Sequence, residues 1–588
     1  MTRRAPLPRA RRVVGVVVAA VVTLALSGVA RAAPSSPTAS GASHRGVAHR
    51  PPLVQVNGGT TTVALDTVPT TLNDHTLAGA TDATRMVASA VWPQVFRVAP
   101  GTTPQLDTNV VDSAEVVSVN PQTVVYQIDP RATWSDGVPL SADDFVYAWQ
   151  SQRGGATDVD GTPDSVASTL GYRDITSVTG SNDGRTVTVV FRLPFTDWAS
   201  LFDDMVPAHV ADTVGWNHGF DRFDAAVLVS AGPWLVQSWQ PGVQIVLVRN
   251  PHWWASPARL DRVVMRAAPG SDALTSALGS GQVQVAYPAS FDASFLAQVS
   301  SSASLQTQAQ LGTRMLQLEF NVRHAPLDSV AVRQGVAHAV DRAAIATMAG
   351  QPEDHSVWED NDHLFSNGQA WYADDAQGYQ RLDLPAAARL LEQGGLVADA
   401  RGTWTLRGSP VDLTVVWASD DPWSAASGPL IVGELVDAGF DVTAVPVPAA
   451  DLVGAVLPAG AFDLALVAVH AGAYPTAVAR AFSSASAVTG VGTVSDWSGF
   501  DDPHIDALFT QAAQELAAAH DQSLYQQIDQ ALWTAMPTLP LFAEPTVLVW
   551  SASLSAVSDD PGGLGPMWSM RVWARLAAAP RSAVTGTT

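Results

Sequence analysis

Between Val411 and Val469 the chain alternates strand and helix. Val411–Trp417, Phe440–Val445 and Asp463–Val469 are short apolar or alternating runs, and Ser424–Asp437 and the stretch near Ala449–Leu457 have helical periodicity. A βαβαβ series buries its apolar surface only as a parallel sheet with right-handed crossovers. Ligands on such sheets sit beyond the carboxyl ends of the strands, which directs attention to the loops after Trp417 and Val469. The flanking sequence has a different character. From Leu53 to Leu311 strand and turn signals dominate, with strands predicted at Val124–Ile128, Thr186–Phe191 and Val243–Val248. From Pro537 onward strand-like sequence returns at Leu539–Phe542 and Val547–Trp550. Strand-rich ends around an α/β middle predict a domain interrupted by an insertion, with two chain crossings that form a hinge.

The N-terminus carries Arg3, Arg4, Arg9, Arg11 and Arg12, then an apolar run from Val13 to Leu26, then Ala30-Arg31-Ala32. Basic head, apolar run and small-x-small site in that order read as a secretory leader over residues 1–32. The apolar run is shorter than the roughly 20 residues that span a bilayer. Residues 33–52, rich in Ser, Ala, Pro, Gly and His, read as a flexible tether. The rest is too long for one core, so two or three domains are expected. The formal charge is −23, and losing the leader's six arginines takes it to −29. That balance disfavours nucleic acid and anionic lipid surfaces, which need a basic footprint. The chain has no cysteine and no lysine. Disulfides, thiolate metal sites, cysteine nucleophiles, the P-loop lysine and Schiff-base chemistry are thereby removed. The lipid-bearing cysteine that anchors many exported proteins is missing too. No Gly-x-Ser-x-Gly or His-Glu-x-x-His occurs, and an enzyme is not expected.

Three helices have clear starts. Ser141 with Asp144 three residues on has the form of a capping box, with Phe145, Ala148 and Trp149 on one face. Asp328 is the expected cap of a helix bearing Val332, Val336, Ala339 and Val340. Pro385 opens a third, ended by Gly394-Gly395.

The segment WSDGVPLSADDFVYAW, Trp134–Trp149, resembles the signature of the family 5 extracellular solute-binding proteins, the group that holds the oligopeptide-, dipeptide- and nickel-binding proteins of ABC importers. Trp134, Asp136, Gly137, Pro139, Ala142 and Asp144 match its pattern. RNPHWW at Arg249–Trp254, the stretch Leu316–Ile345, DLPAAARLLEQGG and Tyr525–Phe542 follow in the family's order. The likeness covers about residues 53 to 578 and is nearest to an actinobacterial branch, some members of which are linked to envelope glycolipid metabolism. It implies an α/β, bilobal clamp of the periplasmic-binding-protein type (type II, large three-domain variant) with mixed sheets and a hinge. Domain I would comprise residues 53–84, 226–312 and 539–588 with a C-terminal tail, domain II residues 85–225, and domain III, the second lobe, residues 313–538. It further implies an exported or envelope-associated monomer that captures a small-molecule, peptide-like or glycolipid ligand for ABC permease subunits. No cofactor and no metal are expected. An envelope binding role without a dedicated transporter stays open.

Peptide-binding members of the family carry an aspartate in a Trp-x-x-Asp-Tyr-Pro segment that pairs with the peptide ammonium. The matching stretch here is HAGAYP, with His470 at the tryptophan position, Ala473 at the aspartate position, and Tyr474 and Pro475 retained. A buried ammonium without a charged partner is costly, which argues against ordinary peptide binding. Trp417 and Tyr474 are candidate aromatic contacts. Asp496 and Trp497 are expected to face the cleft, Asn321 to reach ligand or brace the hinge, and Arg480 to pair with an anion unless it is a plain surface arginine. The run holding Glu353, Asp354, His355, Glu359, Asp360, Asp362 and His363 fits no metal cage and reads as a solvated loop. Trp134–Trp149 reads as scaffold that does not touch ligand.

Overall fold

The computed structural model describes residues 53–99, 103–349, 359–376, 378–483, 496–560 and 564–578. The leader, the tether, and Glu353, Asp354 and His355 lie outside the described residues. Ten strands form one mixed sheet. In chain order they are β1 (Thr60–Leu65), β2 (Trp234–Gln240), β3 (Gln244–Arg249), β4 (Arg262–Ala267), β5 (Val285–Ala286), β6 (Leu305–Phe320), β7 (Asp412–Ala418), β8 (Asp441–Val447), β9 (Leu464–His470) and β10 (Thr538–Ser551). Across the sheet the order is β8-β7-β9-β6-β10-β5-β1-β4-β3-β2.

The α/β series is present, with β7 parallel to both β8 and β9. Its strands lie one residue later than their sequence pattern suggests at each start. The helix Pro422–Asp437 between β7 and β8 is capped by Asp421, whose carboxylate accepts from Ser424 N at 2.9 Å, and Pro422 sits in the first turn. After β8 the expected helix is only Ala449–Asp451, which runs on as a π-turn over Leu452–Val456. Gly454 inside that turn is a poor helix former. Ser329, not Asp328, stands at the cap of the helix Val330–His338, and it makes no side-chain cap bond.

Strands β6 and β10 tie the two ends of the sheet together. Leu305–Leu311 pairs with Ser551–Pro545, and Met315–Glu319 pairs with Ala543–Thr538. Between these stretches Gly312, Thr313 and Arg314 face Glu544 alone, a bulge that kinks β6. Glycine is required at its entry, because a Cβ on Gly312 would stand 2.5 Å from the Glu544 carbonyl oxygen. One flank of this strand pair borders β5 and the other borders β9. The chain therefore passes between the halves of the sheet twice, at one kink.

A second sheet of four antiparallel strands comprises Val111–Val119, Gln122–Ile128, Thr186–Phe191 and Ile175–Gly180. The helix Ala142–Gln152 lies against it. Both bonds of its capping box form between Ser141 and Asp144. Asp144 also accepts from Trp134 Nε1 at 3.4 Å and from Ala208 N at 3.1 Å. Burial raises this carboxyl to about 6 against those bonds. Trp134 and Phe145 are fully buried, each contributing roughly 1.5–3 kcal/mol by leaving water. The Trp134–Trp149 segment is a bracket inside the scaffold. No helix among the described residues is long and apolar enough to cross a membrane.

Candidate ligand-binding cleft

The turn that leaves β9, His470 to Pro475, walls two separate cavities. The first, about 220 Å³, sits at the kink of β6 and β10. Its charged walls are Asp82 on the helix Asp82–Val91, Arg314, Asp421, His470 and Glu544. The second, about 400 Å³, is lined by Pro104, Asp197 and Ala199 on one side and by Phe365, Trp371, Ala473 and Tyr474 on the other.

In the hinge chamber each charge is set by a regular element. Arg314 stands on the bulge, pairs with Glu544 across the strands and lies 3.4 Å from Asp421 Oδ1. Asp421 is the helix cap described above. Burial pushes Glu544 up to about 8 although Arg314 opposes it. His470 is the strand neighbour of Arg314 and lies 3.6 Å from Asp82. Enclosure by protein holds its pKa below the ordinary value, against the pull of Asp82.

In the other chamber the walls are aromatic. Phe365, Trp371 and Tyr525 form a cluster with ring centroids 5.8–6.0 Å apart. Tyr474 Oη donates to the Ala199 carbonyl at 2.9 Å. Asp197 accepts from Thr476 N at 2.9 Å and from its hydroxyl at 2.6 Å, while burial lifts the carboxyl to about 6. These bonds cross from the segment after the four-stranded sheet to the segment after β9.

Of the residues singled out in the sequence, His470 and Tyr474 each line a chamber. Trp417 lines neither. It lies under the helix Pro422–Asp437, where Gly428 leaves it room; a Cβ there would meet the indole at 2.5 Å. Asn321 is fully buried and donates to the carbonyls of Gly460 and Phe462 at 3.1 and 2.9 Å, so it braces a loop. Asp496 accepts from the backbone N–H groups of Gly499 and Phe500 and holds a turn. Trp497 packs beside Leu452, Leu457 and Phe462. Arg480 is half-buried and donates to the Ala167 carbonyl at 3.2 Å, a protein–protein contact in place of an anion.

The described part of the acidic run is no solvated loop. Asp360, Asp362 and His363 are buried. Asp362 accepts from the N–H groups of Leu364, Phe365 and Ala373. His363 bonds Asp529 at 2.8 Å, with burial pushing its pKa down to about 4. Among the described residues no group of three or more His, Asp or Glu could hold a metal ion. Arg314, Asp421, Glu544, Asp197 and Trp371 were not evident in the sequence. The one available signal was Glu544, which interrupts the largely apolar strand β10.

A mixed sheet crossed twice by the chain, with ligand-sized chambers beside the crossing, defines a two-lobed binding protein. The profile of the bacterial extracellular solute-binding proteins, family 5, matches residues 104–488, and the chain belongs to that family. It is 27% identical over 416 residues to the probable monoacyl phosphatidylinositol tetramannoside-binding protein LpqW of Mycobacterium tuberculosis. That match covers 65% of this chain and 63% of LpqW. To the oligopeptide-binding protein OppA of the same species it is 25% identical over 518 residues, covering 86% and 83%. Among solved structures it resembles the periplasmic EDTA-binding protein EppA, at a TM-score of 0.81 and 26% identity over 90% of this chain and 98% of that one. The Bacillus subtilis oligopeptide-binding protein AppA in complex with a nonapeptide shares the fold, at a TM-score of 0.73 and 16% identity over 89% and 100%.

Proposed function

We propose that this protein is the exported ligand-capturing component of an ABC importer, enclosing its ligand in the two chambers when the halves of the molecule come together. The observation that carries the reading is the composition of the 400 Å³ chamber. Its walls come from the segment 196–199, which follows the four-stranded sheet, and from the turn 472–475, which follows β9 of the ten-stranded sheet. A ligand there gains its full set of contacts only when both walls are present, and that differential affinity favours the closed form. Likeness to OppA supports import. Ala473 argues against holding a free peptide amino terminus in this chamber, because the position offers no carboxylate. The chamber suits an apolar or aromatic portion of a ligand instead.

The test is small-angle scattering of the mature protein before and after removal and return of whatever copurifies with it, identified by mass spectrometry. Compaction on return is expected. Tight binding without compaction would sink the closure reading. Permease and ATPase genes beside this one would support import, and their absence would favour an envelope role of the kind LpqW's name suggests.

A further inference from the structure

We propose that the hinge chamber receives a positively charged organic group of the ligand, an ammonium or guanidinium, with Glu544 as its main acceptor and Asp82 as a second. The inference rests on the capture reading above and adds the charge of what is captured. Three carboxylates, Asp82, Asp421 and Glu544, wall this chamber against one guanidinium, that of Arg314. Asp421 is already used at both oxygens, by Arg314 and by Ser424 N. Glu544 is not. It is 3% exposed, Arg314 takes only Oε2, and Oε1 has no hydrogen-bond partner among the described residues. An unfilled buried carboxyl oxygen is costly. Burial favours the protonated form of Glu544, and a cation at Oε1 joins Arg314 in favouring the charged one, so a cationic N–H donor offsets that cost better than a neutral one. Asp82 is nearly half exposed at the helix start, with Arg85 at 3.5 Å and His470 at 3.6 Å. A metal ion needs converging ligands, and no such trio exists among the described residues. Ammonium and guanidinium donate in several directions, which suits acceptors that diverge. The chain's charge of −23 raises the local concentration of cations and opposes anions.

The test is titration calorimetry of the ligand-free mature protein with phenethylamine, phenethyl alcohol and hydrocinnamate, which share a ring and differ in charge. The amine is expected to bind about tenfold tighter than the alcohol, and the acid most weakly. Glu544→Gln keeps the shape and should bring amine and alcohol close to parity. Asp82→Asn lies at an exposed position that cannot disturb the core, and should cost the amine about threefold. The proposal is overturned if alcohol or acid matches the amine on the wild type. It is overturned equally if neither variant changes the ratio, or if the amine fails to bind at millimolar concentration. Scattering separates this outcome from the capture reading. Selective amine binding without compaction would sink closure and leave the charge assignment standing, whereas equal compaction by all three probes would do the reverse.

Discussion

The two chambers are built from different materials. In the hinge chamber every charged wall residue belongs to a strand, a helix start or a cap: Arg314 on β6, Glu544 on β10, Asp421 at a helix cap, Asp82 in a first turn. In the aromatic chamber the walls come mostly from irregular chain at Phe365–Trp371 and Gly472–Tyr474, with Pro104 on the short strand Thr103–Leu106. The difference follows from how the two kinds of interaction depend on distance and direction. A buried charge is tolerated only with partners in fixed geometry, which regular elements supply. Aromatic contact is less directional and survives small shifts of a loop. The hinge chamber should therefore be exacting about charge, and the aromatic chamber adaptable about shape.

The strongest attack on that contrast is Trp371→Ala. It removes the largest ring of the aromatic chamber and one wall of the cluster with Phe365 and Tyr525. A loss of about 2 kcal/mol in ligand affinity, roughly 30-fold, is expected from truncating a central aromatic contact. Trp371→Phe should restore most of it if the chamber adapts. Calorimetry on the copurified ligand decides, and unchanged affinity for both variants would show that the ligand does not use these rings.

Ala473→Asp attacks from the other side by giving the aromatic chamber a carboxylate. It should raise affinity for trialanine about tenfold while leaving N-acetyl-trialanine unchanged. The new acid shares the chamber with Asp197, so its own pKa should be raised as well. If both peptides gain equally, the substitution acts through shape and the contrast between the chambers weakens.

The sequence disclosed the scaffold far better than the site. Trp134–Trp149 declares itself because turn, cap and helix face are adjacent in the chain, and local chemistry builds them. The βαβαβ series is legible for the same reason, through periodicity within each element. The hinge chamber brings Asp82, Arg314, Asp421 and Glu544 together over more than 450 residues of chain, and no local pattern encodes that meeting. Trp417 shows the opposite failure. Its place at a strand end suggested a cleft, but Gly428 on the following helix leaves a gap that the indole fills. A glycine in mid-helix was the available sign. Asn321, Asp496 and Trp497 were drawn to the cleft by position alone, and backbone polar groups nearby claimed the two polar side chains first.

The smallest expected effect concerns a buried acid that lines neither chamber. Glu319 on β6 is 2% exposed, accepts from Gln317 Nε2 at 3.1 Å and has Asp496 nearby. Burial, with Asp496 adding, raises its carboxyl to about 8. Its unfolded value is near 4.5. Between those values the folded chain keeps a proton that the unfolded chain has lost, so stability falls as pH rises through this window and is greatest below it. The slope from one such group is at most about 1.4 kcal/mol per pH unit. Asp521 and Glu434, each raised to about 7 chiefly by burial, act in the same direction. Glu319→Gln should remove part of the slope and raise the unfolding free energy at pH 8 and above by about 1 kcal/mol, while leaving amine selectivity and ligand affinity unchanged. Denaturant melts across this pH range measure the first, and calorimetry the second. A change in ligand affinity would place Glu319 in communication with the hinge chamber, and the separation between acids that hold the strands and acids that wait for a ligand would fail.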